Sequence, residues 1–332
     1  MRDYTVAFLR VVSMFMIIVC HLGTYYDMSF IGQFFQVGVH IFLFMSGYLY
    51  SQKYIKNYFT WMQNRISRIV LPTYVFFVII IIINICLGNH SDKLSYILYG
   101  TQLEGLSHIV TSVQYAGILG ASHTWFVTAI LGCYGLLMII KKCERKSENI
   151  SRIFLVIFII AGIILGQFYI RIDYFIIYLM GYICGKNVFV EKCSKRCLVG
   201  KGLLSIGCIV LGMGIRLIGI RFFDDTILYL YYIIPSSYII LTVGIFYFIK
   251  LMERWSSAVL KWTDSKAWNH LDHISFYVYL THYMFLVGPY KLLNEFNSCL
   301  IGMLIYFIVV FASAEVLSVV SEKLSLKLIK EV

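Results

Sequence analysis

Charge is scarce in this chain. Asp, Glu, Lys and Arg make up only 14% of its 332 residues, against about 25% in a soluble globular protein. That shortage disfavours a soluble enzyme, a coiled coil and a disordered tail together. Proline is rarer still, with three in the whole chain, so helices can run without breaks. The nine cysteines are odd in number and scattered, which argues against a disulfide framework. Cys20, Cys133, Cys184 and Cys208 fall in apolar runs, where Cys behaves as a small hydrophobe. Cys193-x3-Cys197 has no second Cys or His pair of metal spacing nearby, so no metal site is expected.

What fills the chain is hydrocarbon: 60% of residues are hydrophobic and the mean hydropathy is +0.81. Windows of about 20 apolar residues, the length that crosses a bilayer, can be drawn ten times. They cover 4–23, 30–50, 69–88, 123–140, 151–169, 172–186, 199–219, 227–249, 273–290 and 299–321. Of the 28 Lys and Arg, 22 fall on one side of this alternation and five on the other, with Arg10 inside the first window. The net charge of +11 is therefore read as positive-inside bias, not as a nucleic-acid surface. The fold class expected is an all-α, multi-pass integral membrane protein of the cytoplasmic membrane. It should be one membrane-embedded domain over 1–332, with about ten transmembrane helices and both termini cytoplasmic.

Two cytoplasmic connections carry aromatic stripes at helical spacing: Tyr54, Tyr58, Trp61 and Met62, then Leu251, Trp255, Val259 and Trp262. Each opposes Lys or Arg and is expected to form a short interfacial helix.

Ionisable residues inside spanning helices are costly, so each is a functional candidate. Arg10 and His21 share the first helix, eleven positions apart. That spacing returns to within about 20° of the same face, with an axial offset of roughly 16 Å. Arg65 and Arg68 stand just before the third window, three apart, a spacing that shares a helix face and could clamp phosphate through bidentate hydrogen bonds. Asp224 and Asp225 could meet a sugar from the outer side, although solvated loop acids are the more common explanation.

The order Arg10-x10-His21, then Gly38-Val-His-Ile-Phe-Leu-Phe-Met-Ser-Gly-Tyr48, then Arg65-x2-Arg68 resembles the acyltransferase-3 family. His123-Thr-Trp-Phe126 and Ile274-Ser-Phe-Tyr-Val-Tyr-Leu-Thr-His282 extend the resemblance, which runs from about residue 4 to 320. It implies a membrane O-acyltransferase taking an acyl group, most often acetyl, from cytosolic acyl-CoA. The acceptor implied is a hydroxyl of a cell-surface polysaccharide, peptidoglycan or glycolipid, and glycan-biosynthesis proteins are the expected partners, without nucleic acid. His21 is then the catalytic candidate with Arg10 in support, and Arg65 with Arg68 would hold the phosphate-rich donor. His40, Ser46, Tyr48, His123, Trp125 and His282 are candidates for lining the substrate cavity. His40 stands where many relatives carry an acid. A transporter of an amino acid or glycan intermediate is the alternative, since polar groups in a multi-helix cavity also serve transport. It would show inverted repeats, and none is evident.

Overall fold

A computed structural model describes residues 3–112, 114–145, 147, 149–186, 195–223, 226–256 and 258–330. Its regular structure is helical, apart from one isolated antiparallel bridge between Val110 and Ile170. Among the described residues, eight helical stretches are long and apolar enough to cross a membrane. The first is α1 (Tyr4–Tyr25), whose N-terminus is capped by the Asp3 carboxylate accepting from the Val6 N–H at 3.1 Å. Next, α2 (Ser29–Phe35) and α3 (Val37–Ser51) together make the span Phe30–Ser51.

The third span differs from the expectation. α4 (Tyr58–Arg65) is no separate interfacial helix: a π turn over Ile66–Val70 joins it to α5 (Leu71–Cys86). The cause is Pro72, whose ring would clash with the carbonyl four residues back, and a widened turn moves that carbonyl away. Arg65 and Arg68 are therefore not related by regular α-helical spacing. The same device recurs where a π turn over Tyr229–Ile233 precedes Pro235 in α12 (Ile234–Trp255).

Between these spans, α6 (Lys93–Gly100) and α7 (Leu106–Ile109) lie in the long 89–122 connection. A 3-10 turn at Ser122–Thr124 then leads into α8 (Trp125–Glu144), followed by α9 (Ile150–Leu165). Beyond them come α10 (Asp173–Lys186) and α11 (Lys195–Phe223). After α12 the chain passes through α13 (Ala258–Lys261) to α14 (Lys266–Thr281), a 3-10 turn at His282–Phe285, and α15 (Cys299–Lys330). The second aromatic stripe is likewise divided, since Leu251 and Trp255 belong to α12 and Val259 to α13.

Two of the ten windows, 172–186 and 273–290, are shorter elements, α10 and α14. The 14 residues of α10 reach only about 21 Å at 1.5 Å per residue. It is nonetheless central: Tyr178, Leu179 and Tyr182 are fully buried. It lies hard against α3, where a Cβ on Gly47 would come within 2.1 Å of the Tyr178 carbonyl oxygen, and one on Gly181 within 2.0 Å of the Phe44 carbonyl oxygen. Only glycine permits that approach. Burial separates core from periphery: 72% of the α8 span is buried but 11% of the α9 span, so α9 is a lipid-facing helix.

Candidate active site

Three imidazoles meet in the bundle. His21, one turn before the end of α1, has its ring centroid 5.2 Å from that of His282, and His282 lies 5.0 Å from His123. The two distant histidines are delivered by the short 3-10 turns that precede α8 and follow α14. Tyr283 joins them, 4.7 Å from His21 and 5.0 Å from His123. His123 is 3% exposed and His282 fully buried, whereas His21 is only partly buried and so can meet a substrate.

Backbone carbonyls fix the tautomers. His282 Nδ1 lies 2.7 Å from the Tyr279 carbonyl oxygen, and His123 Nε2 lies 3.1 Å from that of Leu280. A carbonyl can only accept, so each of these nitrogens carries the hydrogen and the other nitrogen of each neutral ring is bare. Those bare atoms, His282 Nε2 and His123 Nδ1, are buried without a hydrogen-bond partner. The cluster thus holds two unused lone pairs, one on the ring next to His21 and one on the ring beyond it. Its rings are not disposed as metal ligands: no group of three or more His, Cys, Asp or Glu that could hold a metal occurs among the described residues.

The N-terminal end of the same helix is cationic. Arg10 donates through Nη1 to both oxygens of Asp272, at 2.7 and 2.9 Å. It therefore does not touch His21, although the two share a face of α1. Arg65 donates to the Tyr50 hydroxyl, and its guanidinium stands 5.6 Å from the Tyr50 ring centre, with Lys53 at 5.5 Å from the same ring. Partial burial, then the fields of Arg65, Arg10 and Arg68, push the Lys53 ammonium below its ordinary value. Four cations within mutual range, against one tied carboxylate, suit a polyanion.

Beyond the imidazole cluster, away from the cationic end of α1, a cleft of about 410 Å³ opens, lined by Asn84, Asn89, His90, Ser91, Ser122 and Tyr283 among others. Its wall at Gly120 has φ +84, and a Cβ there would come within 2.9 Å of the Gly288 Cα. Tyr283 is common to the cleft and the imidazole cluster. Nearby, Glu104 is 1% exposed. The hydroxyls of Thr124 and Thr128 lie beside it but donate to the carbonyls of Ala121 and Gln102, and neither Glu104 oxygen has a partner. Burial pushes its carboxyl up to about 7.

The remaining candidates are placed apart. His40 does not join the His21 cavity. It faces α10, where its Nε2 lies 3.1 Å from Asp173 Oδ2, and Asp173 is also held by Arg171 at 2.9 Å. Tyr48 packs on Phe246 at 4.9 Å with Lys250 over its ring, and Ser46 Oγ is buried without a partner. Trp125 stacks on His108 at 4.9 Å. Asp224, Asp225 and Cys193 lie outside the described residues. Tyr283, Lys53, Asp272 and Glu104 were not singled out from the sequence. Tyr283 adjoins His282 in sequence, the one available signal for it, whereas Lys53 meets Arg65 only in the fold, at the Tyr50 ring.

A family model described as an acyltransferase domain matches residues 3–322. No curated protein and no solved structure matches the chain.

Proposed function

The chain belongs to the acyltransferase-3 family, a membrane acyltransferase, and from that premise we propose that it moves an acyl group from cytosolic acyl-CoA to a hydroxyl presented in the outer cleft. Acetyl is the acyl group proposed, and a cell-surface carbohydrate or glycolipid the acceptor. The observation that carries this reading is the arrangement along α1. A cationic cluster surrounds its N-terminal end, His21 stands in a cluster of three imidazoles, and a polar cleft begins beyond Tyr283.

Arg65, Arg68 and Lys53, with Arg10 at the margin, hold the donor's phosphates. Its extended thioester arm covers the roughly 16 Å along α1 to His21. His21 takes the acceptor hydroxyl proton as the oxygen attacks the thioester carbonyl carbon. The tetrahedral intermediate collapses, the C–S bond breaks, and the departing thiolate takes the proton back from His21. While His21 is an imidazolium both of its nitrogens are donors, and the acceptors proposed are the bare nitrogens of His282, whose ring adjoins His21, and of His123 next to it. These two are positioning residues, and His21 is the catalytic one.

The test is isotope-labelled acetyl-CoA supplied to inside-out membrane vesicles. Label retained on carbohydrate or lipid, and lost in His21→Ala, is the expected result. Solute flux without retained label would mean transport and would overturn the reading.

A further inference from the structure

Beneath the polar cleft runs a second, apolar one. It measures about 300 Å³ and is walled by Phe76 and Ile79 of α5, Thr281 and Met284 beside the histidine cluster, and Val316 and Leu317 of α15. Asn84 of α5 lines the outer cleft, eight residues beyond Phe76, or roughly 12 Å along the helix. Met284 lines the groove and the adjacent Tyr283 lines the cleft. The two spaces are therefore stacked along one helix, polar above apolar, as an amphiphile standing in the outer leaflet would be.

Resting on the proposed reading of the site, we infer that the acceptor is lipid-anchored: its hydroxyl-bearing headgroup enters the outer cleft and its hydrocarbon chain lies in the groove between α5 and α15. The groove opens sideways within the spanning region, where Ile79 is 39% and Val316 63% exposed, and no charged side chain lines it. Bilayer hydrocarbon has direct access to it. Its inner wall backs onto the chemistry: the Phe76 ring stands 6.0 Å from that of His123, and Thr281 precedes His282. A chain seated there holds its headgroup beside His21. A donor acyl chain would arrive along α1, and no α1 residue lines the groove. A fully water-soluble glycan would leave the groove without use.

The experiment uses the full chain in lipid nanodiscs with a dodecyl β-D-glucoside that carries a mid-chain diazirine. Photolabel is expected on α5 and α15 beside Ile79 and Val316, and methyl β-D-glucoside should fail to protect against it. Val316→Trp, at an exposed position that tolerates bulk, should lower labelling about tenfold, equivalent to losing the burial of about two methylenes. Ile79→Trp tests the opposite wall should the first variant misfold. In cells, either substitution should reduce acylation of lipid-extractable material while acetyl-CoA binding to the purified variant is unchanged. Labelling equally strong on the lipid-facing α9 would mean ordinary boundary lipid and would overturn the inference, as would unchanged acylation with the groove filled. Groove labelling without any transfer in the vesicle assay would instead refute the acyltransferase reading and leave the chain site standing.

Discussion

Replacing His282 with Asn separates its two nitrogens. The Asn amide nitrogen occupies the position of Nδ1, so it can still donate to the Tyr279 carbonyl, the 2.7 Å bond of the native ring. Nothing replaces Nε2, the buried bare nitrogen. If that atom receives an N–H of the His21 imidazolium during transfer, the variant loses a hydrogen bond to a charged donor, about 1.5–3 kcal/mol. At about 1.4 kcal/mol per decade, kcat should fall roughly 10- to 150-fold. The donor KM should not move, since the lost contact exists only once His21 is charged. Steady-state transfer of labelled acetyl from acetyl-CoA, with the melting temperature followed in the same detergent, reads both quantities. His282→Phe is the control, losing both nitrogens and about 1 kcal/mol of stability from the missing backbone contact. A well-folded His282→Asn protein within about threefold of the native kcat, a difference under 1 kcal/mol, would refute the assignment of Nε2.

Four further outcomes are expected. His123→Gln places its amide nitrogen where Nε2 donates to Leu280 and deletes the bare Nδ1, so it too should lower kcat at constant donor KM, by about tenfold or more. Changing Arg65 and Arg68 together to Ala should chiefly raise the apparent KM for acyl-CoA, with only partial rescue by Lys because an ammonium lacks the forked geometry; normal donor dependence would remove them from donor binding. Glu104 has a folded-state value raised from 4.5 to about 7, so its stabilising contribution is complete below about pH 4.5 and is lost as pH rises through 7. The loss is about 3 kcal/mol, and melting of Glu104→Gln across this range should lack that slope. The excess of Lys and Arg on one side places both termini in the cytoplasm as an expectation, so a single Cys at Ser325 should resist membrane-impermeant thiol reagent in sealed cells while one at Asn89 reacts; labelling at 325 would defeat that orientation.

Helix periodicity was enough to put Arg10 and His21 on one face of α1, because both lie in one regular element. It gave no sign that Arg10 would be tied to Asp272, a partner 262 positions away. His123 and His282 came forward through family resemblance, and no spacing rule joins them to His21. The carbonyls that set their tautomers belong to Leu280 and Tyr279, whose side chains are silent about the role. For Arg65 and Arg68 the α-helical reading of a three-residue spacing failed because Pro72 imposes a π turn across the pair. The place of His40 in the Phe-rich run says nothing of its partner, since the acid beside it, Asp173, begins another helix 133 positions away. The window 172–186 meets α10 to within one residue, but its apolar residues are buried against protein and fall short of bilayer length.

The π turn before Pro72 also acts as a phase correction between two machines on one rod. Such a turn is equivalent to one extra residue in an α-helix, so it offsets the azimuth of everything upstream by about 100°. The lower segment uses that offset to wedge Trp61 between Tyr50 and Tyr134, at ring separations of 5.3 and 5.4 Å, and to bring Arg65 onto the Tyr50 hydroxyl. The upper segment keeps Phe76 and Phe77 in the core while Val78 and Ile82 face lipid. A Pro72→Ala substitution combined with deletion of Ile69 would allow an unbroken helix and leave both arginines chemically unaltered. It would also swing the arginines away from the cationic cluster, so donor affinity should depend on the number of residues in that turn as strongly as on their identity.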